Sequence, residues 1–169
     1  AVLWAVEKGI TTGATKTTFN PFGVTNRAQV VTFLYRYMGA PDLGFGGGEL
    51  PFSDMVEGEF YVVPVLWAVD EGITTGTDGT HFSPSQTCNR AQVVTFLWRA
   101  AGQPAPKSTK NPFKDVQKGS FYEKPVLWAV EKGITTGLTD TTFGPGQVCN
   151  RAQAVTFLHR ASGAPEPGL

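Results

Sequence analysis

Three arginines, Arg27, Arg90 and Arg151, sit second in the same tetrapeptide, Asn-Arg-Ala-Gln, at Asn26 to Gln29, Asn89 to Gln92 and Asn150 to Gln153. An apolar run of helical period follows each one, which places each arginine in the first turn of a predicted helix. A helix start carries roughly half a positive charge and unpaired N–H groups, so a cation there costs about 0.3 kcal/mol or more unless something anionic offsets it. One solution is an anionic ligand between guanidinium and helix end, because helix N-termini attract anions and the guanidinium fork matches carboxylate or phosphate. The other is a carboxylate of a neighbouring segment, such as Asp54 or Asp115, or simple extension into water. The residue types leave these alternatives open.

Other reactive side chains form no comparable pattern. His81 and His159 have no histidine at their matching positions, which are occupied by Thr18 and Thr142, and by Tyr35 and Trp98. Asp54 and Asp115 stand in Phe-x-Asp and are expected to cap a first helix rather than to act as general acids. Asp78-Gly79 and Asp140 lie in a threonine-rich loop with too few oxygen ligands for a calcium loop, and turn formation accounts for them. No nucleophile, histidine and acid suggest a constellation, and no phosphate loop ends in Gly-Lys-Ser/Thr. The residues call for no cofactor, no metal and no catalysis.

The elements that must position the arginines come from an internal repeat, which governs the architecture. Leu3 to Gly39, Leu66 to Gly102 and Leu127 to Gly163 align without a gap, at offsets of 63 and 61 residues taken from Trp4, Trp67 and Trp128. The second and third copies extend backwards together, Phe52-Ser-Asp-Met matching Phe113-Lys-Asp-Val. Ala1 aligns with Pro64 and Pro125, so the first copy reads as truncated at its N-terminus, as in a processed or excised segment. The organisation is three modules, 1–39, 52–102 and 113–163, with linkers 40–51 and 103–112 and a tail 164–169. Within the first linker, Gly44 to Gly48 is expected to be mobile.

Each module reads as helix, loop, helix. In the third copy Pro125 suits a first turn, Val126, Leu127, Ala129 and Val130 give an apolar face, and Gly133 fits a left-handed C′ position with Ile134 folding back as its apolar partner. Phe19, Phe82 and Phe143 are expected to plug the core from the loop. Asn26, Asn89 and Asn150 cap the second helix, with Gln29, Gln92 and Gln153 completing a capping box, and Gly39, Gly102 and Gly163 end it. Trp4, Trp67 and Trp128 share one helical slot that suits the core, with a sugar-stacking platform as the alternative. The slot of Tyr35, Trp98 and His159 varies between copies, as a partly exposed groove wall or an ordinary half-buried position would.

Composition narrows the partners. The 14 basic and 14 acidic residues cancel, leaving no basic field for nucleic acid or an anionic membrane. No apolar run approaches the roughly 20 residues that a bilayer requires. Two cysteines, Cys88 and Cys149, occupy matching slots where the first copy has Thr25; a bridge needs their Cα atoms within about 7 Å, and two free thiols are the plainer reading. Modules of roughly 50 residues are marginal alone, which favours one shared core.

The order Phe-x-Asp-Val, Trp-Ala helix, Gly-Ile-Thr-Thr-Gly, Thr-x-Phe-x-Pro, then Arg-Ala-Gln before an apolar helix resembles the S-layer homology domain over essentially the whole chain. The resemblance implies a mainly α fold, a pseudo-threefold bundle of three helix-loop-helix repeats. It implies a non-catalytic module on a secreted, bacterial cell-surface protein, binding an anionic and often pyruvylated secondary cell-wall polysaccharide in grooves between repeats. Carried over by alignment, the groove arginine falls on Arg27, Arg90 and Arg151. The Gly-Ile-x-x-Gly loop, which in related proteins contacts the sugar, ends on Gly13, Gly76 and Gly137, and Tyr35, Trp98 and His159 are candidate walls. The tetrapeptide departs from the family's Thr-Arg-Ala-Glu: the amide keeps the capping logic and removes a negative charge beside the arginine. The alternative is a structural or protein-binding module, self-association included, in which the arginines form inter-module salt bridges.

Overall fold

The computed structural model describes residues 1–44 and 46–168; Phe45, within the stretch expected to be mobile, and Leu169, at the end of the tail, lie outside them. Six helices alternate short and long: α1 Val2–Glu7, α2 Arg27–Tyr37, α3 Val62–Asp70, α4 Arg90–Ala100, α5 Glu123–Glu131 and α6 Arg151–Ala161. Among the described residues there is no sheet, only isolated bridges. The chain is therefore mainly α, as its periodicity implies.

The helices start and stop where side-chain chemistry directs. Asn26 accepts from the Gln29 N–H at 2.9 Å while Gln29 Oε1 accepts from the Asn26 N–H at 3.2 Å, a complete capping box, and the same pair of bonds closes at Asn89 and Asn150. Each long helix ends in a Schellman turn, as when Gly39 N–H donates to Arg36 O and Ala40 N–H to Tyr35 O. The short helices end likewise, with Gly133 at φ +67° and the C″ residues Ile10, Ile73 and Ile134 buried. Trp4, Trp67 and Trp128 are core residues as well.

Each long helix packs chiefly against the short helix of the next module: α2 on α3, α4 on α5, and α6 back on α1, while α2, α4 and α6 meet one another at the centre. The modules are thus interlocked in a closed cycle, and the apolar face of each finds its cover on a neighbour. At the start of the long helices the main chain itself forms a ring. Cys88 N–H donates to Thr25 O at 2.9 Å, Cys149 N–H to Cys88 O at 3.0 Å, and Thr25 N–H to Cys149 O at 3.1 Å. Cys88 and Cys149 sit on this ring as buried free thiols, and burial pushes both up to about 12.

The Phe-x-Asp segment does different work from that expected of it. α3 and α5 begin without a side-chain cap. Asp54 instead accepts from the N–H groups of Phe82 and Ser83 at 2.8 and 2.7 Å, and Asp115 from Phe143 and Gly144 at 2.8 and 2.7 Å. Two successive N–H groups turned the same way, with Ser83 at φ +58° and Gly144 at φ +72°, form a concavity that fits both oxygens of one carboxylate. Phe52 and Phe113 then lie against Phe82 and Phe143, ring centroids 6.0 and 5.8 Å apart, and Phe82 and Phe143 are fully buried. Phe19 has no such neighbour among the described residues and is only half-buried.

Candidate functional site

The three arginines point across module boundaries, not into water. Arg27 Nε donates to Phe82 O at 2.8 Å, Arg90 Nε to Phe143 O at 2.9 Å, and Arg151 Nε to Phe19 O at 2.9 Å. Each module therefore clamps the loop of the next, and the third clamps the first. Every guanidinium is also sandwiched by aromatic rings: Arg27 lies 4.8 and 5.3 Å from the centroids of Phe82 and Phe96, and Arg90 lies 4.8 and 5.2 Å from those of Phe143 and Phe157. Such contacts compensate part of the lost hydration. Desolvation still lowers all three arginine pKa values, and nearby Asp54 opposes it at Arg27 as Asp115 does at Arg90.

The neighbouring carboxylates do not form ion pairs with these arginines. Among the described residues the one close contact between a basic and an acidic side chain is the hydrogen bond of His81 Nδ1 with Asp78 Oδ2, 3.0 Å apart in the exposed turn. Asp54 acts on Arg27 through a peptide group, by fixing the Phe82 unit whose carbonyl takes the guanidinium. Nor do the helix starts offer the bare N–H groups expected of them. The N–H groups of Arg27 and Ala28 donate to Gln86 O and Pro84 O, those of Arg90 and Ala91 to Gln147 O and Pro145 O, and those of Arg151 and Ala152 to Gly23 O and Pro21 O. The third N–H goes to the capping asparagine. The electrostatic oddity of a cation at a helix start is resolved by carbonyls of the next module, which quench the dipole.

Two concave grooves lie beside these clamps. One, of about 310 Å³, joins Arg27 to the second module's Thr74, Gly76, Gln92, Phe96 and Arg99, with Phe121 of the third module at its rim. The other, of about 230 Å³, joins Arg151 to the first module's Thr11, Gly13, Gln29, Phe33 and Arg36, with Phe60 at its rim. The structure thus brings Arg27 together with Gly76, and Arg151 together with Gly13. Arg90 makes the same clamp on the third module, where Gly137 N–H donates to Thr135 Oγ1 at 3.1 Å just as Gly13 does to Thr11.

The loop glycines are demanded by geometry. Gly76 has φ +86°, and a Cβ there would lie 2.5 Å from His81 O and 2.6 Å from the Phe52 ring. Tyr35, Trp98 and His159 line neither groove. Each bonds the chain that leaves its helix: Tyr35 Oη donates to Pro41 O, Trp98 Nε1 donates to Pro104 O, and His159 Nε2 bonds Pro165 O, at 2.8, 2.9 and 2.8 Å. Three different side chains share one job, since each carries a polar tip at similar reach from an apolar ring.

Sequence reasoning missed the second arginine of each groove, Arg36 in one and Arg99 in the other; Arg160 is their counterpart in the third module. Arg36, Arg99 and Arg160 donate through Nη1 to the carbonyls of Ile10, Ile73 and Ile134 at 3.3, 2.9 and 3.2 Å. Nine residues separate Arg27 from Arg36, which on a helix sets them on opposite sides. One long helix therefore supplies the first arginine of one groove and the second arginine of the adjacent one. The signal was present, an arginine repeated at fixed spacing in every copy, but a cation in a last turn is ordinary. No carboxylate lines either groove. Each is a trough of mixed polarity, lined by threonines and two aromatic rings, carrying two guanidiniums and the amide of Gln29 or Gln92, whose Oε1 is committed to the cap.

Comparison with known proteins agrees with this architecture. The profile of the S-layer homology domain matches residues 1–31, 51–94 and 112–155. The chain is similar to an S-layer protein of Bacillus thuringiensis subsp. finitimus, 28% identical over 166 residues, covering 94% of this chain and 19% of the relative. It is similar to a cellulosome-anchoring protein of Acetivibrio thermocellus, 25% identical over 149 residues, 85% of this chain and 33% of the relative. An endoglucanase of Bacillus sp. (strain KSM-635) is 33% identical over 111 residues, 66% of this chain but 12% of the relative, so its catalytic name carries nothing to this chain. Three matched segments in one closed cycle of modules leave a single conclusion: the chain belongs to the S-layer homology domain family.

Proposed function

We propose that this chain is a non-catalytic module that anchors a surface protein to the bacterial cell wall by holding an acidic secondary cell-wall polysaccharide in its grooves. Family membership and the S-layer and cellulosome-anchoring names of its relatives support the cell-surface, anchoring part of this reading. The observation that carries the rest is electrostatic. Each groove gathers two guanidiniums and no carboxylate, so an acidic sugar substituent, such as a pyruvate ketal carboxylate, meets charge with no competitor inside the cavity. Nε of the first arginine is spent on the clamp, leaving its Nη edge and the second arginine for the ligand. Phe60 and Phe121, 56% and 61% exposed, offer an apolar face to the sugar ring at the rim. Several weak grooves on one rigid bundle would act together, because linkage turns later binding events into intramolecular ones.

Sedimentation with purified cell-wall sacculi, native and stripped of secondary polymer, tests the proposal. Pelleting with native sacculi alone is the expected outcome. Equal pelleting with both preparations would refute glycan recognition and turn attention to protein partners or self-association.

A further inference from the structure

The grooves share a plan but differ in one atom. Arg27 is 3% exposed, and its Nη2 is, among the described residues, the one buried side-chain nitrogen or oxygen with no hydrogen-bond partner. Arg151 is 6% exposed, yet its Nη2 donates to Thr11 Oγ1 at 3.3 Å. In the Arg27 groove the matching hydroxyl, Thr74 Oγ1, accepts only from Gly76 N–H at 3.1 Å. A buried charged donor left without an acceptor carries a desolvation cost that the flanking rings offset only in part. Nothing inside the protein supplies that acceptor. Gln92, the amide side chain that lines this groove, has its oxygen fixed on Asn89 N–H at 3.0 Å and can present only N–H, and Arg99 is a further donor. The Arg27 groove is therefore a set of donors lacking an acceptor, and at about 310 Å³ it is also roomier than the 230 Å³ of its counterpart.

We propose that these two grooves are graded, and that the one between the first and second modules binds an anion more tightly than the one between the third and first, with Arg27 Nη2 as the group that sets its rank. This rests on the reading of the grooves as acidic-glycan sites. The free donor pair needs an oxygen with lone pairs in the plane of the guanidinium, which a carboxylate provides and a neutral hydroxyl provides poorly. The Arg151 groove meets the same ligand with its Nη2 already donating to Thr11, so fewer guanidinium N–H groups are free for the ligand there.

Matched substitutions isolate that atom. R27K and R151K each keep the charge, each lose the same Nε bond to a neighbouring carbonyl, and differ in whether a free Nη2 is removed. Affinity for solubilised acidic wall polysaccharide is measured by calorimetry alongside the melting temperature. The expected result is a loss of about tenfold for R27K and about threefold or less for R151K at similar melting temperatures. Equal losses, or a greater loss in R151K, would overturn the grading while leaving glycan binding intact. Absence of binding by the unaltered chain would remove the functional reading and the grading with it. Should R27K fail to fold, Q92E and Q29E replace it: both keep the capping box, and the expected loss falls on Q92E. Losses that are equal or reversed in this pair refute the proposal.

Discussion

Replacing Arg90 with alanine separates a purely ligand-facing arginine from one that also holds the fold. The guanidinium donates to Phe143 O at 2.9 Å in a buried setting, lies between the Phe143 and Phe157 rings at 4.8 and 5.2 Å, and is 3% exposed. A charge-assisted bond to a buried carbonyl contributes about 1.5–3 kcal/mol, and its loss leaves Phe143 O without that donor. Two aromatic contacts add about 1 kcal/mol between them. Relief from desolvation, which already lowers the arginine pKa, returns part of this, so a net loss of about 2–3 kcal/mol is expected. For a chain of this size that is a fall of roughly 4–12 °C in melting temperature. Differential scanning calorimetry of Arg90→Ala measures it, and Arg90→Met, which keeps an apolar stem between the rings, is expected to recover about a third. A melting temperature within about 1 °C of the parent would refute the reasoning and mean that the unliganded arginine is not clamped.

Three further outcomes follow from the geometry. Cys88 and Cys149, held near 12 by burial, should stay protonated and unreactive toward a thiol reagent at pH 8 and become fully reactive in denaturant, as absorbance of the released chromophore will report. Gly76→Ala, at positive φ with its Cβ 2.5 Å from a carbonyl, should destabilise by about 3 kcal/mol or more, whereas Gly72→Ala, where nothing lies within 4 Å, should cost about 1 kcal/mol; chemical denaturation compares them. Asp78 is depressed to about 2, first by the Thr80 N–H. Because its folded value lies below its unfolded one, its stabilisation is present at pH 5 and above and is lost as pH falls toward 2; the gap in melting temperature between the parent and Asp78→Asn should therefore close over that interval.

The repeat, the capping boxes and the glycine-isoleucine turns were legible in the sequence because each depends on residues a few positions apart. Asn26 and Gln29 carry their own geometry, and Gly133 with Ile134 likewise. The closure of the bundle was legible only through resemblance, since the pairing of α6 with α1 joins opposite ends of the chain. What stayed hidden were side chains whose partners are main-chain groups far away in sequence. Asp54 and Asp115 looked like helix caps because Phe-x-Asp stands before a helix, yet their targets are paired N–H groups 28 and 29 residues on. For the first arginines the residue types left an anionic ligand, a neighbouring carboxylate and water all open, because residue types reveal counter-charges and not the carbonyls that hold them here, and the second arginines stand in last turns, where a cation is ordinary. Tyr35, Trp98 and His159 seemed free to diverge, although each keeps one hydrogen bond to the chain six residues on.

The ring of main-chain bonds through Thr25, Cys88 and Cys149 also bears on how the bundle would yield under load. In a string of beads, pulling releases one module after another. Here the third module is stitched to the first through both the ring and the Arg151 clamp, and Gly168 N–H donates to Glu7 Oε2 at 3.0 Å, laying the tail beside α1. Tension that parts the third module from the first therefore falls on the main-chain ring that every module shares. A single rupture event, not a staircase of three, is the mechanical signature that such a stitch implies, and a tether built this way keeps or loses all of its grooves together.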